Sequence, residues 1–302
     1  MNLYKKTLIL LAALVFAFTA GCSKKNDSSA QDQSSDAVSS QSDSSQDDSS
    51  TQSQAPVKVE QGDKIKAAAG FFENEKYEYI CKVTGSGADA VVTLAKNNGV
   101  CKQTTDYGFT KSVIYCKGAD TFRYDGITKA FVKEIGKITT DPTGNLITET
   151  VKKELPPTST HINAEDAKKY DAEEYTYTGG TYITILDFYF DKKTGMLSKY
   201  TVTSSVEGKD DEVETRQVLR MTSKDTADID FSEIELRNDY TDFSALSETD
   251  REQFCKKLFE SRGVKEEDLY EAGLTMFDLK KISYDDLSAF MIGFTAKQNE
   301  KK

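Results

Sequence analysis

The sequence predicts an α+β protein: a curved antiparallel meander sheet, in the form of a half-barrel, with a short N-terminal helix and a small all-α module after it. Three observations lead to this fold class. Strand-like runs with turn residues between them follow one another through positions 76–135 and again through 173–222. These runs follow one another without long helices, which excludes the helical crossovers of a βαβ substrate-binding protein. A segment of helical periodicity follows residue 243.

Composition excludes several classes of function. The chain has 302 residues, a net charge of −11 and a pI near 4.9. A nucleic-acid groove needs clustered Lys and Arg, so we expect no nucleic-acid partner. The sequence has one His and no Trp, which excludes metal sites built from several His residues. We therefore expect no cofactor and no metal.

Residues 1–21 are typical of a secretory signal. Lys5 and Lys6 precede an apolar run of 14 residues, and small residues end the run. The run is shorter than the roughly 20 residues that span a bilayer. A retained membrane anchor is the alternative.

The signal ends in Thr19-Ala20-Gly21-Cys22, which resembles the lipobox of bacterial lipoproteins, with Thr in place of the usual Leu. The resemblance implies that Cys22 carries a diacylglycerol and becomes the first residue after cleavage. Several acyl chains on one residue give stable membrane attachment without a transmembrane helix. The mature chain would then face outside the cytoplasm, anchored in the cell membrane of a Gram-positive bacterium. An ordinary secretory signal with a chance Cys is the alternative.

Residues 22–57 are predicted to form a disordered tether. Ser23–Pro56 contains 13 Ser, 6 Gln and 6 Asp, and Val38 is its only large aliphatic residue. Such a segment cannot bury enough apolar surface to offset the entropy lost on ordering. A flexible chain of this length has an end-to-end distance of about 30 Å. Removal of residues 1–21 takes away Lys5 and Lys6, so the net charge falls from −11 to −13.

The sheet is assigned to residues 58–243. A short helix is expected at 61–74 and another at 163–170, within a long loop over 136–170 that exposes His161 to solvent. The ten predicted strands are 76–84, 89–96, 100–106, 110–117, 120–125, 129–135, 173–178, 181–190, 196–206 and 212–222.

One hairpin register follows from the spacing of apolar residues. A five-residue loop, 191–195, pairs Phe190 with Met196. This pairing places one apolar face of each strand on the same side of the sheet. The residues on these faces are Tyr182, Leu186, Phe188 and Phe190 on the first strand, and Met196, Tyr200, Val202 and Val206 on the second.

Residues 244–302 are assigned to the helical module. Ser247 is an N-cap candidate, and Gly263 ends the first helix. A pattern that begins with an apolar residue and ends in Asp-Leu then occurs three times, at 264–269, 274–279 and 282–287. It predicts three short capped helices. The module either docks a partner, or is a helical cap on the sheet or a small self-contained bundle.

Within 58–243, three segments resemble the periplasmic lipoprotein-carrier superfamily. The segment 117–125, KGADTFRYD, resembles a strand motif of that superfamily, and 191–197, DKKTGML, resembles its later hairpin turn. The closing segment, 231–240, has Arg237 where the superfamily has Pro. The resemblance implies a half-barrel whose concave face holds acyl chains. A tethered protein cannot shuttle between membranes, so the carrier role itself is not expected.

The resemblance leads to a first hypothesis of function: a membrane-anchored lipoprotein that binds a lipid or other apolar ligand in the curved sheet. The candidate ligand-binding residues are Phe122, Tyr124, Leu186, Phe188, Phe190 and Tyr200. A filled core without a cavity would use the same aromatic residues. The second hypothesis is an envelope interaction or sensor protein that docks another protein through its sheet and C-terminal helices, without a small ligand.

Enzymatic chemistry is not expected. The chain lacks a G-x-S-x-G turn, and no catalytic residue is assigned. The acidic residues of 210–214 and 225–230 do not match a calcium-binding loop, so both groups are interpreted as solvated turns. A carboxylate pair for glycoside hydrolysis is defined by the distance between the two groups in the folded protein, and the sequence singles out no candidate.

Four cysteines remain after Cys22 in a compartment that permits disulfides. A type II′ turn at Gly108-Phe109 places Cys101 directly opposite Cys116, within disulfide range. Cys81 and Cys255 then pair by default or stay free. Four reduced cysteines are the alternative.

Overall fold

A computed structural model gives the fold and describes residues 62–85, 87–97, 99–135, 146–155, 157–158, 162–179, 182–224, 226, 229 and 239–301. The signal peptide, Cys22, the tether and His161 lie outside these residues. So do Asp225, Asp228 and Asp230, together with most of the closing segment 231–240. What the sequence indicates for them stays a prediction.

The described residues form one open sheet of twelve strands, and the α+β fold class is confirmed. All ten predicted strands are present, and β7 and β12 are two short additions. The strands are Tyr77–Gly85 (β1), Ala90–Asn97 (β2), Val100–Asp106 (β3), Lys111–Lys117 (β4), Asp120–Asp125 (β5), Ala130–Glu134 (β6), Pro157–Thr158 (β7), Tyr170–Gly179 (β8), Tyr182–Asp191 (β9), Leu197–Val206 (β10), Glu212–Thr222 (β11) and Thr241–Asp242 (β12).

The order of these strands shows two meanders joined at β1. Across the sheet they run β12-β6-β5-β4-β3-β2-β1-β11-β10-β9-β8-β7. Every neighbouring pair is antiparallel except β12 and β6. Cys81 on β1 lies opposite Val218 on β11, next to a bulge between Ile80 and Cys81. The first of the described strands therefore lies in the middle of the sheet.

The helices of the described residues lie before, between and after the strands. They are Asp63–Phe71 (α1), Leu146–Lys152 (α2), Ala164–Lys169 (α3), Glu248–Arg262 (α4), Glu266–Ala272 (α5) and Tyr284–Glu300 (α6), with 3-10 turns at Phe243–Ala245 and Asp278–Lys280. Within these ranges no helix has both the length and the apolar character needed to cross a bilayer.

Two expectations about helices are wrong. The stretch assigned to a loop contains α2 in addition to the expected α3. The second C-terminal repeat forms only the 3-10 turn Asp278–Lys280, because the third repeat begins directly after it. The third repeat opens α6, a helix of 17 residues, because buried apolar residues continue at helical spacing to Phe294.

Most helices cover one side of the sheet, here called the inner face; the opposite side is the outer face. Side chains alternate along a strand, and directly paired residues share a face. The inner face can therefore be followed across β1 to β6 through the pairs Tyr79–Leu94, Leu94–Gln103, Gln103–Ile114, Ile114–Arg123 and Arg123–Val132.

Helices α1 and α2 cover the inner face at the β8–β10 end. They contribute Ile65, Ala68, Ala69, Leu146 and Ile147 to a core that also contains Tyr175, Leu186, Phe188, Phe190, Leu197 and Tyr200.

The C-terminal residues 244–301 cover the inner face at the β6 end. Ile127, Ala130 and Val132 belong to the same core cluster as the buried residues of α4 to α6. In addition, Arg123 Nη1 on β5 donates a hydrogen bond to Asp285 Oδ1 on α6 at 2.5 Å. Of the alternatives above, the helical segment is thus a cap on the sheet and shares its core.

The register predicted for the β3–β4 hairpin is confirmed. Gly108 has a positive φ of 80°, as the first central position of a type II′ turn requires. Tyr107 N–H donates to Thr110 O at 2.9 Å and closes the turn. Cys101 consequently lies directly opposite Cys116.

The register predicted for the β9–β10 hairpin is wrong by one residue. Phe190 pairs with Leu197, because Asp191 N–H donates to Met196 O. Met196 thus lies opposite Asp191, and the loop is 192–195 instead of the expected 191–195. Met196 is 50% exposed, whereas Leu197 is buried. A bulge between Leu197 and Lys199 then brings Tyr200 opposite Phe188, so the two apolar faces still meet.

Candidate functional site

Four of the six candidate ligand-binding residues are buried in the inner-face core. Leu186, Phe188, Phe190 and Tyr200 all lie beneath α1 and α2. The Phe188 ring centroid is 5.3 Å from that of Tyr200 and 5.9 Å from that of Tyr175. These are the packing contacts of a filled core.

Phe122 and Tyr124, the other two candidates, lie on the outer face. Arg123 between them faces inward, so alternation along β5 directs both rings to the opposite side. There they pack with Val113 and Tyr115 in a separate cluster. The prediction that all six residues line one concave site is therefore wrong, because the sheet itself separates the two groups.

An ion pair that the sequence analysis missed lies on the inner face of β11. Arg216 Nε donates to Glu214 Oε1 at 2.6 Å, and the side chains are 13% and 10% exposed. Arg216 Nη1 also contacts the Tyr200 hydroxyl at 3.4 Å. The sequence signal was present, because residues two apart on a strand share a face.

The groups around the Arg216–Glu214 pair have raised pKa values and stay protonated at neutral pH, which fits a structural role for the pair. Burial raises the pKa of the Cys81 thiol and of the Tyr200 hydroxyl. Burial, together with nearby Asp125 and Glu214, raises the pKa of Tyr107 to about 12. None of these shifts favours an activated nucleophile at neutral pH. Among the described residues, no group of three or more His, Cys, Asp and Glu is arranged to hold a metal ion.

The acidic group at 210–214 is only partly a solvated turn. Asp210 and Asp211 are exposed, as expected. Glu212 and Glu214 are each only 8% exposed, because β11 begins at Glu212 and its alternation turns both side chains inward.

The cysteines fall into two groups. The register of β3 and β4 is the one that a Cys101–Cys116 disulfide requires, and the bond itself stays a prediction. Cys81 and Cys255 are buried thiols in two different core clusters. Of the two alternatives for Cys81 and Cys255, the fold therefore favours the one in which both thiols stay free.

A shallow groove crosses β2 to β4 on the outer face. It is lined by Val91, Thr93, Lys102, Thr104, Asp106, Gly108 and Lys111. Lys111 Nζ forms an ion pair with Asp106 at 3.0 Å, and Lys102 Nζ lies 4.9 Å from the centroid of the Tyr115 ring. Both ammonium groups of the groove thus already have partners within the protein.

The three C-terminal repeats share one local geometry. Each closes on a leucine buried in the helical core: Leu269, Leu279 and Leu287. The Asp before each leucine accepts a hydrogen bond from the residue three positions earlier: Asp268 from Lys265 N at 2.9 Å, Asp278 from Thr275 N at 2.8 Å and Asp286 from Ser283 Oγ at 2.6 Å. Because these contacts recur, equivalent positions of the repeats can be compared.

The fourth position of the repeat lies outside the core in all three copies. Glu267 is exposed there in the first copy, and Asp285 contacts Arg123 in the third. The second copy has Phe277, which is 92% exposed. Tyr270, on the α5 surface, is 61% exposed. The sequence signal for Phe277 is that it stands where the other two repeats have an acid.

Comparisons with known proteins add little to this geometry. No protein-family model matches the chain, and no curated protein matches it. A solved structure with some likeness is the crystal structure of MucB in complex with MucA(peri), at 12% identity and a TM-score of 0.22. The likeness covers 53% of this chain and 55% of that chain, so just over half the length of that structure's chain is matched.

Proposed function

We propose that this chain is a membrane-tethered lipoprotein that docks another protein of the bacterial envelope through its C-terminal helical cap. The observation that carries the proposal is the exposure of Phe277, 92%, at a position where the sister repeats have carboxylates. Burial of a Phe side chain is worth about 1.5–3 kcal/mol, and aromatic side chains are common anchors of protein interfaces. Because the described residues leave the Phe277 side chain exposed, this stabilisation would be gained only when a partner buries the ring.

The docking hypothesis is better supported than the hypothesis of lipid binding. Lipid binding in the curved sheet depended on six residues, and the sheet holds Phe122 and Tyr124 on the face opposite to the other four. The four inner residues belong to one buried core cluster with residues of α1 and α2, and the ring centroids of Phe188 and Tyr200 lie 5.3 Å apart. Phe277, in contrast, is 92% exposed in the part of the chain that the structure describes.

The anchor part of the proposal rests on Cys22 and the tether 22–57. A tether of about 30 Å raises the local concentration of the cap around partners in the same membrane. Cys22→Ala should leave an uncleaved precursor that takes up no labelled palmitate. Incorporation of label into this variant would contradict lipidation at Cys22.

The docking part is tested by in-cell photo-cross-linking in the native host. A photoreactive residue is placed at position 277, and the control is the same residue at Lys193, which is exposed in the β9–β10 turn. We expect a cross-linked envelope protein from position 277 and not from position 193. No cross-linked protein at 277, or the same products from both positions, would overturn the docking function.

Phe277→Glu gives a second test with little risk to the fold, because it restores the acid that the other repeats carry. The variant should unfold at the same temperature as the wild type. Removal of an anchor worth 2 kcal/mol or more should lower partner co-purification at least tenfold. Unchanged co-purification would remove Phe277 from the interface.

A further inference from the structure

We propose that Cys101 and Cys116 form a thiol–disulfide exchange site, in which Cys101 reacts with an outside thiol or disulfide and Cys116 closes or opens the internal bond. The site lies on the β3–β4 hairpin and does not depend on docking through Phe277. It goes beyond the expected disulfide, because the bond is reversible in the folded protein and each sulfur has its own role.

The two cysteines of the hairpin differ in their access to solvent. Cys101 is half-buried, whereas Cys116 is only 5% exposed. A thiolate exchanges with a disulfide by direct attack on one sulfur, through a mixed disulfide, so access determines which sulfur reacts. A reagent from solution therefore reaches Cys101 first. Cys116 lies directly opposite on the neighbouring strand, where it can attack that sulfur next.

The other two described cysteines are unsuited to exchange. Cys81 and Cys255 are 1% and 0% exposed, and each lies within a core cluster. Burial raises the pKa of the Cys81 thiol and raises that of Cys255 to about 12, so both stay protonated at neutral pH. The reacting form is the thiolate. Cys101 and Cys116, in contrast, belong to none of the three core clusters of the described residues.

The strand register makes a bond between these two sulfurs easier to break. Tyr107 N–H donates to Thr110 O and closes the turn. Hydrogen-bonded pairs alternate with other pairs along an antiparallel ladder, so Cys101 and Cys116, six positions further from the turn, are again a hydrogen-bonded pair. The Cβ atoms of such a pair lie about 5.5 Å apart, beyond the roughly 3.5–4.5 Å of a relaxed disulfide. Closing this gap strains the bond and favours its reduction by thiols.

Oxidation of the reduced pair by a disulfide RSSR takes two balanced steps. The Cys101 thiolate attacks one sulfur of RSSR, which forms the mixed disulfide Cys101–S–S–R and releases RS⁻. The Cys116 thiolate then attacks the Cys101 sulfur, which forms the internal bond and releases the second RS⁻. Each cysteine gives its proton to a departing RS⁻ by way of water, so one RSSR is reduced to two thiols. Reduction runs these steps in reverse and begins with attack of RS⁻ on Cys101.

The assignment of roles is tested with oxidised glutathione, added to the reduced protein that carries Cys22→Ser. In the Cys116→Ser variant we expect one glutathione per chain, held at Cys101, as measured by intact mass and peptide mapping. The matched variant Cys101→Ser should trap at least tenfold less glutathione at Cys116, because Cys116 is buried. The intact pair should form the internal bond and retain no glutathione. Equal trapping by the two variants, or glutathione at Cys81 or Cys255 instead, would overturn the proposal.

A second measurement needs no substitution within the pair. In the reduced, folded protein, N-ethylmaleimide should alkylate Cys101 at least tenfold faster than Cys116, since access limits the reaction. In the oxidised, folded protein, reduced glutathione should open the internal bond without denaturant. A bond that glutathione opens only in urea would make the pair a structural disulfide, and the exchange function would be wrong.

The source of the outside sulfur is either a small thiol or a cysteine of an envelope oxidoreductase. Cys116→Ser protein made in the native host distinguishes the two. A small thiol bound at Cys101 would assign exchange to the low-molecular-weight pool, and a protein joined to Cys101, released by reductant on a gel, would assign it to an oxidoreductase. Cys101 without either adduct would contradict exchange in the cell.

Discussion

The carboxylate of Glu173 on β8 caps helix α1 through the backbone N–H of Ile65, at 3.1 Å. The same carboxylate accepts the N–H of Lys64 at 3.3 Å and the hydroxyl of Tyr175 at 2.9 Å. Gly62 permits this approach, because a Cβ there would lie 2.2 Å from Glu173 Oε1. The first N–H groups of a helix need acceptors, and a negative charge suits that end. The sheet thus determines where α1 begins.

Glu173→Gln should therefore destabilise the protein by about 1–2 kcal/mol, the usual cost of losing a helix cap or a hydrogen bond to a charged group. Urea unfolding measures the change. Glu75→Gln, at an exposed turn, is the control and should stay within about 0.5 kcal/mol of the wild type. Equal stability of the two variants would show that the Glu173 charge is not needed for the cap.

Cys101 and Cys116 should form a disulfide in protein purified from its native host. Peptide mapping without reductant should link these two residues, and reduction should cost about 3 kcal/mol for a loop of this size. The double variant Cys101→Ser, Cys116→Ser should be insensitive to reductant. A peptide joining either residue to Cys81 or Cys255 would disprove the pairing.

Tyr107 should contribute to unfolding in alkali. Its pKa in the fold is about 12, whereas Tyr in an unfolded chain titrates near 10. The stabilisation that the buried, protonated Tyr107 gives to the fold is complete below about pH 10. It is lost as the pH rises towards 12, because Tyr107 in the unfolded chain releases its proton first.

Tyr107→Phe should reduce the fall in unfolding free energy over this range by up to about 1.4 kcal/mol per pH unit, the value for one proton. Urea unfolding at several alkaline pH values measures it. Tyr270→Phe, at a position 61% exposed, sets the baseline. Equal slopes for wild type and Tyr107→Phe would mean that Tyr107 titrates alike in both states.

The Arg123–Asp285 pair should couple the cap to the sheet. The side chains are 24% and 34% exposed, so solvent screens them partly and we expect a coupling energy of about 1 kcal/mol. A double-mutant cycle with Arg123→Met and Asp285→Asn measures it. The control cycle uses Glu165 and Lys168, which are 80% and 68% exposed and should couple by less than about 0.5 kcal/mol. Similar energies from both cycles would place the Arg123 pair among ordinary surface pairs.

The strands were predictable because their signals are local. Gly108 fixed the β3–β4 turn, and with it the register of every residue in that hairpin. Ser247 and Gly263 marked the ends of α4, where the Ser247 side chain accepts from Asp250 N and Gly263 has a left-handed φ of 68°.

The candidate site was harder to predict because it depends on which face a strand presents. Phe122 and Phe188 both belong to alternating strands, yet alternation alone does not state which side is covered by helices. That choice depends on where α1, α2 and the cap pack. The β9–β10 register was missed for a different reason. The hydrogen bond from Asp191 N–H to Met196 O shifts the turn by one residue, and the spacing of apolar residues does not indicate that bond.

The central position of β1 has a consequence for the newly made chain. Synthesis delivers β1 to β6 first, and each of these strands pairs with the one just made. The other edge of β1 waits for β11, which arrives after β8, β9 and β10. Until then the nascent half-sheet presents an open row of backbone donors and acceptors, and such edges are templates for aggregation. Closing the seam between Cys81 and Val218 joins the two ends of the sheet region, so we expect it to be the slow step of folding.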